Sequence, residues 1–289
     1  MIQVSVPATS ANCCVGFDSM GMALNWCGTF CFEKADELQI SGCPEEYQDE
    51  NNLVVQAFKK ACTYLHEELP AFHLHIDSEI PFARGMGSSA TCVVAGIVAA
   101  NAWFHDRMSK EEMLQLATEM EGHPDNVAPA LFGGTTACFM QDGNIYMESI
   151  DAKDWYGLAM VPEYPVSTAE ARKVLPKQME YKEACKQVGY AIVFIQALQK
   201  GQEELLSKAC VDFLHEPYRK KLIPDYEMIH SYCVQQEMPM WISGSGSTML
   251  ALSKSEDKIE KLHEYLKTLN TIQCRRVEIS KKGAVVLNV

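Results

Sequence analysis

The chain has 289 residues, enough for one large domain or two modest ones, and 47% apolar and 22% charged residues, as in folded globular proteins. Its formal net charge of −13 argues against broad binding of nucleic acid or of anionic membranes. A local anion site made of backbone amides remains compatible with that charge. The longest apolar stretch, 92–104, is too short to cross a bilayer.

The cysteines and the first residues both favour a reduced, cytoplasmic protein. Residues 1–7 contain no basic segment followed by an apolar run, so no signal peptide is expected. The 12 cysteines are scattered, without a Cys-x-x-Cys pair, and most lie within apolar patterns, where a thiol is a small buried side chain. A disulfide scaffold or a zinc site is therefore not predicted.

The first part of the chain alternates strand and helix patterns. Apolar residues at every second position predict a strand ending at Pro7, and the small and polar residues 8–18 predict a loop. A helix is expected after Asn52, because apolar residues follow at helical spacing. Further strands are predicted over 29–33, 37–41 and 72–77.

A glycine-rich loop, Pro81-Phe-Ala-Arg-Gly-Met-Gly-Ser-Ser-Ala-Thr91, precedes an apolar helix predicted from Ser89 to about Trp103. Glycines at 85 and 87 allow positive φ and a close backbone approach to a ligand, and the helix start presents unpaired N–H groups. The loop therefore indicates a phosphate site; the alternative is a loop that merely caps the helix through its serines. It completes neither a Walker A motif nor Gly-x-Gly-x-x-Gly.

A dense polar cluster, Glu121-Gly-His-Pro-Asp-Asn126, follows the next predicted helix, which a capping box at Ser109 and Glu112 opens. Asp and Asn after a proline suit a simple turn. Four polar groups this close together, bracketed by apolar segments, nevertheless favour the edge of a cleft. A hairpin around Asp142-Gly143 is predicted next.

The sequence pattern changes near residues 151–155. This change predicts a domain boundary there, with domains over 1–155 and 156–289. Strands and helices are mixed in both parts, so we expect an α+β protein of two layers. A second glycine segment, Ser243-Gly-Ser-Gly-Ser-Thr248, lies between two predicted strands. It is interpreted either as a tight hairpin or as a wall of the site formed by the first glycine loop.

Magnesium would require hard oxygen ligands and one or two carboxylates, and two residues are candidates. Ser89 lies at the predicted helix start, where a role as helix cap competes with metal binding. Glu121 ends a helix beside the polar cluster, although a glutamate at a helix end is often simply solvated.

Taken together, these segments resemble the homoserine kinase family of the GHMP small-molecule kinase superfamily. The matching motifs are Val6–Asn12 with Gly16–Gly21, the loop Pro81–Ala90, the segment Glu121–Leu131 and the turn Ser243–Thr248. Two further stretches, Val166–Arg172 and Glu216–Pro224, are also similar to that family. The set spans most of the chain. The departures are Cys13-Cys14-Val15, Met86 and Ser247, of which the first puts the geometry around Asn12 in question.

The resemblance implies a two-domain GHMP kinase fold, with an amino-terminal domain like domain 2 of ribosomal protein S5 and a ferredoxin-like carboxy-terminal domain. It implies phosphorylation of L-homoserine by ATP in threonine biosynthesis, by a homodimer, with Mg²⁺ on Ser89 and Glu121. The implied nucleotide contacts are Asn52, Pro81, Phe82, Ala83, Arg84, Gly85, Met86, Gly87, Ser88, Ser89, Ala90 and Thr91. The implied homoserine contacts are Asn12, Asp18, His123, Asp125, Thr168, Arg172 and Arg219.

The same resemblance implies catalytic roles for Ser89, Glu121, Asn126 and Arg172. Other superfamily members carry an aspartate base where this chain has Asn126, and an amide cannot accept a proton at neutral pH. A loose transition state needs little early deprotonation of the nucleophile, so transfer without a carboxylate base is predicted. Two alternatives stay open: a GHMP kinase for another small alcohol, such as mevalonate or shikimate, and a non-catalytic nucleotide sensor.

Overall fold

The computed structural model describes residues 1–268 and 271–287, in which runs of strands are separated by helices. The strands are β1 (Ile2–Ala11), β2 (Met20–Lys34), β3 (Gln39–Ser41), β4 (Phe72–Asp77), β5 (Thr135–Gln141), β6 (Asn144–Ile150), β7 (Tyr156–Pro162), β8 (Met240–Ile242), β9 (Met249–Ser253), β10 (Ile272–Glu278) and β11 (Val285–Leu287).

The helices of the described residues fall into a first group before β5 and a second group after β7. They are α1 (Leu53–Leu65), α2 (Ser88–Trp103), α3 (Lys110–Glu121), α4 (Pro124–Phe132), α5 (Thr168–Lys173), α6 (Tyr181–Lys200), α7 (Glu203–Ala209), α8 (Glu216–Arg219), α9 (Tyr226–Gln235) and α10 (Glu256–Lys267).

The first sheet has the strand order β11-β1-β2-β4-β3, with β5 paired to β2 and β6 paired to β5. Helices α1 to α4 share a hydrophobic core with it, in which Phe32, Phe58 and Phe72 form contacting aromatic pairs. Helix α2 has buried apolar residues around most of its circumference, which is the pattern of a central helix. Its start is thereby fixed between the sheet and the neighbouring helices.

The second sheet has the order β10-β7-β9-β8, and all of its neighbouring strands are antiparallel. Helices α9 and α10 bury apolar residues such as Ile229 and Leu262 in one core of this half. Helices α6 and α7 contribute to another core, which contains Trp155 and Trp241 together with residues of β2. This shared core joins the two sheets.

The expectation of an α+β protein with layers of helices on sheets is confirmed, but the predicted loop 8–18 is too long. Strand β1 continues to Ala11, because the small side chains of 8–11 are completely buried in the sheet. The polar cluster after α3 is also more ordered than a turn. Gly122 ends α3 in a left-handed conformation, and Pro124 begins α4 at the position where proline suits a helix start.

Residues 151–155 connect β6 of the first sheet to β7 of the second, so the predicted change of character falls between the two sheets. The chain later returns, since β11 pairs with β1 of the first sheet. The division into 1–155 and 156–289 therefore stays a prediction, and residues 269–270 and 288–289 lie outside the described part. Among the helices of that part, none has the length and apolar character needed to span a membrane.

Candidate active site

A cavity of about 330 Å³ lies where the two sheets meet, and segments distant in sequence form its walls. They are the end of β1, the glycine loop, the end of α3, the start of α4, the start of α5, the end of α8 and the turn between β8 and β9. The predicted residues that line it are Asn12, Asp18, Ala83, Gly85, Gly87, Ser88, Ser89, Ala90, Glu121, His123, Asp125, Asn126, Thr168, Arg172 and Arg219.

The glycine loop takes the conformation that its sequence indicates. Gly85 and Gly87 have φ values of +76° and +66°, in the left-handed region that glycine tolerates best. The loop packs tightly on the glycine turn of the second half: the Ser243 hydroxyl donates to the Gly85 carbonyl at 2.6 Å, and the Thr248 N–H donates to the Arg84 carbonyl at 3.1 Å. The 243–248 segment is thus both a turn between two strands and a wall of the cavity.

Ser89 contacts Glu121 rather than capping its helix. Helix α2 begins at Ser88, and its N-cap is Gly87, which has no side chain that could cap the helix. The Ser89 hydroxyl donates to Glu121 Oε1 at 2.5 Å. Burial raises the pKa of the Glu121 carboxyl, while the hydrogen bond from Ser89 acts in the opposite direction. Two hard oxygen donors therefore face each other beside the first turn of a helix.

Asp18 and Arg172 form an ion pair across the cavity. The Arg172 guanidinium donates to both carboxylate oxygens of Asp18, at 3.2 and 2.9 Å, and His123 Nδ1 lies 3.8 Å from the same carboxylate. Asn12 joins the two halves, since its amide donates to the Gly244 carbonyl at 2.9 Å and accepts from the Asp18 N–H at 3.0 Å. Asn12 keeps this ordered position although Cys13 and Cys14 follow it.

Arg219 is a buried cation whose hydrogen-bond partners are carbonyls, while the carboxylates of Asp18, Asp125 and Asp212 lie farther away. Its side chain is 2% exposed, and it donates to the carbonyls of Ala171 and Gly244 at 3.2 and 2.9 Å. Within the described residues no carboxylate lies within ion-pair distance of it. Burial and the nearby Arg172 lower the pKa of Arg219 to about 10, so it stays charged at neutral pH. The ring of Phe17 lies under both guanidinium groups, 5.0 Å from Arg219 and 5.9 Å from Arg172.

Asp125 and Asn126 lie in the first turn of α4, at the floor of the cavity. Burial, followed by repulsion from Asp18, raises the pKa of Asp125 to about 7. Asn126 Oδ1 accepts a hydrogen bond of 2.7 Å from the hydroxyl of Thr9. Thr168 is the first residue of α5, which a capping box between Ser167 and Glu170 opens.

A second, mostly apolar cavity of about 260 Å³ adjoins the glycine loop and shares Ala83, Ser88 and Ser89 with the first. Three further predicted residues, Asn52, Phe82 and Thr91, line it, together with Tyr47. The rings of Tyr47 and Phe82 lie 6.2 Å apart at its edge. The Asn52 amide is engaged within the protein, because it caps α1 by accepting from the Val54 N–H at 3.0 Å and donates to the Tyr47 carbonyl at 2.7 Å.

Three predicted residues of the loop line neither cavity. Pro81 is half-buried, Met86 is buried in the core, and the Arg84 guanidinium donates to the carbonyls of Pro162 and Glu163 at 3.2 and 2.5 Å. Arg84 thus fastens the loop to β7. Conversely, the sequence interpretation missed Thr9 and Phe17. Both lie inside the quoted motif segments, but their contacts are made with residues more than a hundred positions away.

Comparisons with known proteins place the chain in a family. Residues 52–134 match the family model of the GHMP kinase N-terminal domain, and residues 194–270 match that of the GHMP kinase C-terminal domain. A homoserine kinase of Clostridium botulinum is 39% identical, over 100% of this chain and 99% of the relative. These matches cover both predicted halves.

Solved structures agree with the sequence matches. The crystal structure of homoserine kinase from Cytophaga hutchinsonii superimposes with a TM-score of 0.88 at 27% identity, covering 99% of this chain and 97% of that one. A putative homoserine kinase from Listeria monocytogenes gives a TM-score of 0.84 at 30% identity, with both chains covered completely. The two-domain GHMP kinase fold expected from the motifs is therefore confirmed, and the chain belongs to the homoserine kinase family of the GHMP kinases.

Proposed function

We propose that the chain transfers the terminal phosphoryl group of ATP to the side-chain hydroxyl of L-homoserine and so forms O-phospho-L-homoserine. The observation that carries this proposal is the meeting, in one cavity, of a phosphate-type glycine loop and a buried arginine that forms no ion pair within the described residues. The membership of the homoserine kinase family supports the same activity.

The charges of the cavity suit an amino-acid substrate. A buried guanidinium without a carboxylate partner is costly, and a substrate carboxylate would supply the missing anion with the planar geometry that arginine binds best. Arg219 is proposed for this role, with Arg172 beside it. The ammonium group would lie near Asp125 and Asp18, since a cation there would favour the ionised form of Asp125.

The nucleotide is proposed to lie across both cavities. The first N–H groups of α2 and the backbone of the glycine loop would bind its phosphates. The adjoining apolar cavity, with Tyr47 and Phe82 at its edge, is suited to a flat heteroaromatic ring. Asn52 contributes to this cavity as a wall and as the cap of α1, because its amide is already hydrogen-bonded.

Ser89 and Glu121 fit a magnesium ion by their chemistry. A hydroxyl and a carboxylate oxygen 2.5 Å apart are ligands of the kind that Mg²⁺ prefers, and this ion usually takes only one or two carboxylates from a protein. In the described residues no group of three or more His, Cys, Asp or Glu side chains could hold a metal. Ser89 and Glu121 would hold the ion, which would supply positive charge to offset the negative charge that develops during transfer.

The acceptor hydroxyl is proposed to react without a protein carboxylate as its base. Asn126 cannot take a proton, and its Oδ1 is occupied by the Thr9 hydroxyl. The residues of the cavity would instead hold the hydroxyl in line with the phosphoryl group, which needs little deprotonation before a loose transition state. A large loss of kcat in Asn126→Ala, combined with a pH profile that reports one essential carboxylate base, would contradict this.

A coupled assay of ADP release with homoserine, mevalonate and shikimate tests the function. Turnover with homoserine alone is expected, because only the amino acid offers both a carboxylate for Arg219 and an ammonium for Asp125. Turnover with mevalonate or shikimate instead would favour a GHMP kinase that acts on another small alcohol. ATP binding without turnover of any of the three would favour a nucleotide sensor.

We further propose the division into domains at residue 155, a homodimer and a cytoplasmic location. All 12 cysteines are free thiols, which supports a reducing compartment. The molar mass in solution, measured by light scattering, checks the dimer.

A further inference from the structure

Asn126 can present either of two chemically different ends to the cavity. Rotation of its carboxamide by half a turn exchanges an oxygen acceptor for an NH₂ donor with almost no change of shape. An oxygen that faces the reacting groups would repel the phosphoryl oxygens, whereas an NH₂ group would donate to them. The function of the site therefore depends on which end is held inward.

The hydroxyl of Thr9 selects the oxygen end, because within the described residues its O–H has no other acceptor, and a turned carboxamide would leave this buried donor unpaired. Thr9 lies on β1, is completely buried, and donates to Asn126 Oδ1 at 2.7 Å. Within the part of the chain that is described, Asn126 Nδ2 makes no hydrogen bond, although Asn126 lines the cavity. The two N–H donors of the amide are thus left available to a ligand.

The glycine loop fits closely against this hydrogen bond. A Cβ placed on Gly87 would lie 2.0 Å from Thr9 Oγ1 and 3.0 Å from Asn126 Oδ1, so the bond occupies the space that glycine leaves open. The Thr9 N–H also donates to the Met86 carbonyl at 3.1 Å. Thr9 therefore contacts the proposed phosphate loop and Asn126 at once.

We infer that Thr9 is a positioning residue of the phosphoryl transfer, which fixes the Asn126 carboxamide with its oxygen outward and its NH₂ group towards the reacting atoms. This inference rests on the proposed function. Thr9 contacts no substrate itself. It acts on the orientation of Asn126, whose donors would bind the acceptor hydroxyl oxygen or the transferred phosphoryl group without taking a proton.

The variant Thr9→Val tests this, because valine keeps the β-branched shape and removes the hydroxyl. We expect kcat to fall by about tenfold or more, the cost of one lost hydrogen bond at the reacting centre, with both KM values within about twofold of the parent. Thr9→Ser should restore most of kcat. Thr135→Val is the matched control, since Thr135 is also a completely buried strand threonine, and its hydroxyl has no partner in the described residues.

The double variant Thr9→Val/Asn126→Ala separates this inference from a structural effect. If Thr9 acts through Asn126, the double variant has the same kcat as Asn126→Ala alone. An unchanged kcat in Thr9→Val, while Asn126→Ala loses activity, would overturn the inference and leave the proposed function intact. A loss of kcat in Thr9→Val would also overturn the inference if Thr9→Ser does not restore kcat and the unfolding temperature is lowered. Full activity of Asn126→Ala would instead overturn the role of Asn126, and the inference with it.

Discussion

Ser89 connects the start of α2 to the end of α3 through its hydrogen bond to Glu121. Its hydroxyl lies beside the N–H groups that are proposed to bind phosphate, but it is not itself part of the helix cap. Binding of the nucleotide and stabilisation of the transferred charge can therefore be separated at this residue.

Ser89→Ala should lower kcat by roughly 10² while changing the dissociation constant of ATP by less than about threefold, because the lost ligand acts mainly on charge that develops in the transition state. Steady-state kinetics and equilibrium ATP binding, both with Mg²⁺ present, measure the two effects. An equal loss in both quantities would contradict the assignment.

Arg219→Lys should raise the KM of homoserine by about tenfold or more and leave the KM of ATP nearly unchanged. Lysine keeps the charge but lacks the planar fork, which here must bind two carbonyls and a substrate carboxylate together. Initial rates at varied homoserine check this. Arg275→Lys serves as the control, because Arg275 is half-buried and pairs with Glu79 outside the cavity.

At this scale the motifs predicted which residues meet in the cavity better than they predicted the contacts that these residues make. Ser89, Glu121, Asp125 and the two arginines follow from the motifs, and the structure brings all five to one cavity. Thr9 and Phe17 could not be recognised, because their importance comes from partners on other elements rather than from their own residue type. Arg84 shows the opposite case. Its charge and its place in a phosphate-type loop suggest a nucleotide contact, but its guanidinium donates to the backbone at the end of β7.

Among the elements, the glycine loop depends on the turn between β8 and β9. A Cβ on Gly85 would lie 2.1 Å from the Ser243 carbonyl oxygen, so the loop backbone rests directly on the other half of the molecule. This contact, rather than the freedom of glycine alone, sets the position of the loop.

Gly85→Ala should therefore lower both the unfolding temperature and kcat/KM more than Gly143→Ala does. The two glycines have nearly equal φ values, +76° and +79°, but a Cβ on Gly143 would meet nothing within 4 Å. The control substitution carries only the backbone strain, of about 1 kcal/mol, and the difference between the variants reports the contact. Thermal unfolding and steady-state rates measure it, and equal effects of the two substitutions would exclude the contact as the cause.

Elements with strong periodicity or caps were predicted well, such as α1, whose apolar residues recur at helical spacing, and α3, which the capping box at Ser109 opens. The extension of β1 to Ala11 and the formation of α4 were not. Small side chains fit a buried strand only because the surrounding core is tight. Pro124 after a helix end indicates a stop as readily as a new start, and only the tertiary packing distinguishes the two.

For the whole molecule, a buried carboxyl makes stability depend on pH. Burial raises the pKa of Glu216 to about 8, well above the value of about 4.3 in an unfolded chain. The folded protein therefore holds this proton more tightly than the unfolded chain does. The contribution of Glu216 to the free energy of unfolding is fully present below about pH 4, and it is lost as the pH rises from there through about 8.

Glu216→Gln should remove this dependence, because the amide can still accept from the Ile242 N–H and contact the Tyr226 hydroxyl. The free energy of unfolding of the variant, relative to the parent, should rise between pH 5 and 8 by up to about 1.4 kcal/mol per pH unit. Urea unfolding at several pH values measures it. Parallel curves for the two proteins would show that folding does not raise the pKa of Glu216.

The pairing of β11 with β1 has a consequence for biosynthesis. Residues 285–287 are made long after residues 3–5, the partners with which they pair. A nascent chain can therefore fold most of its first sheet on the ribosome while the edge of β1 stays open, and an open edge can pair with strands of neighbouring nascent chains. Strand β11 closes that edge only after residue 287 has been made, so chains cut short before Val285 should aggregate more readily than chains that contain this strand.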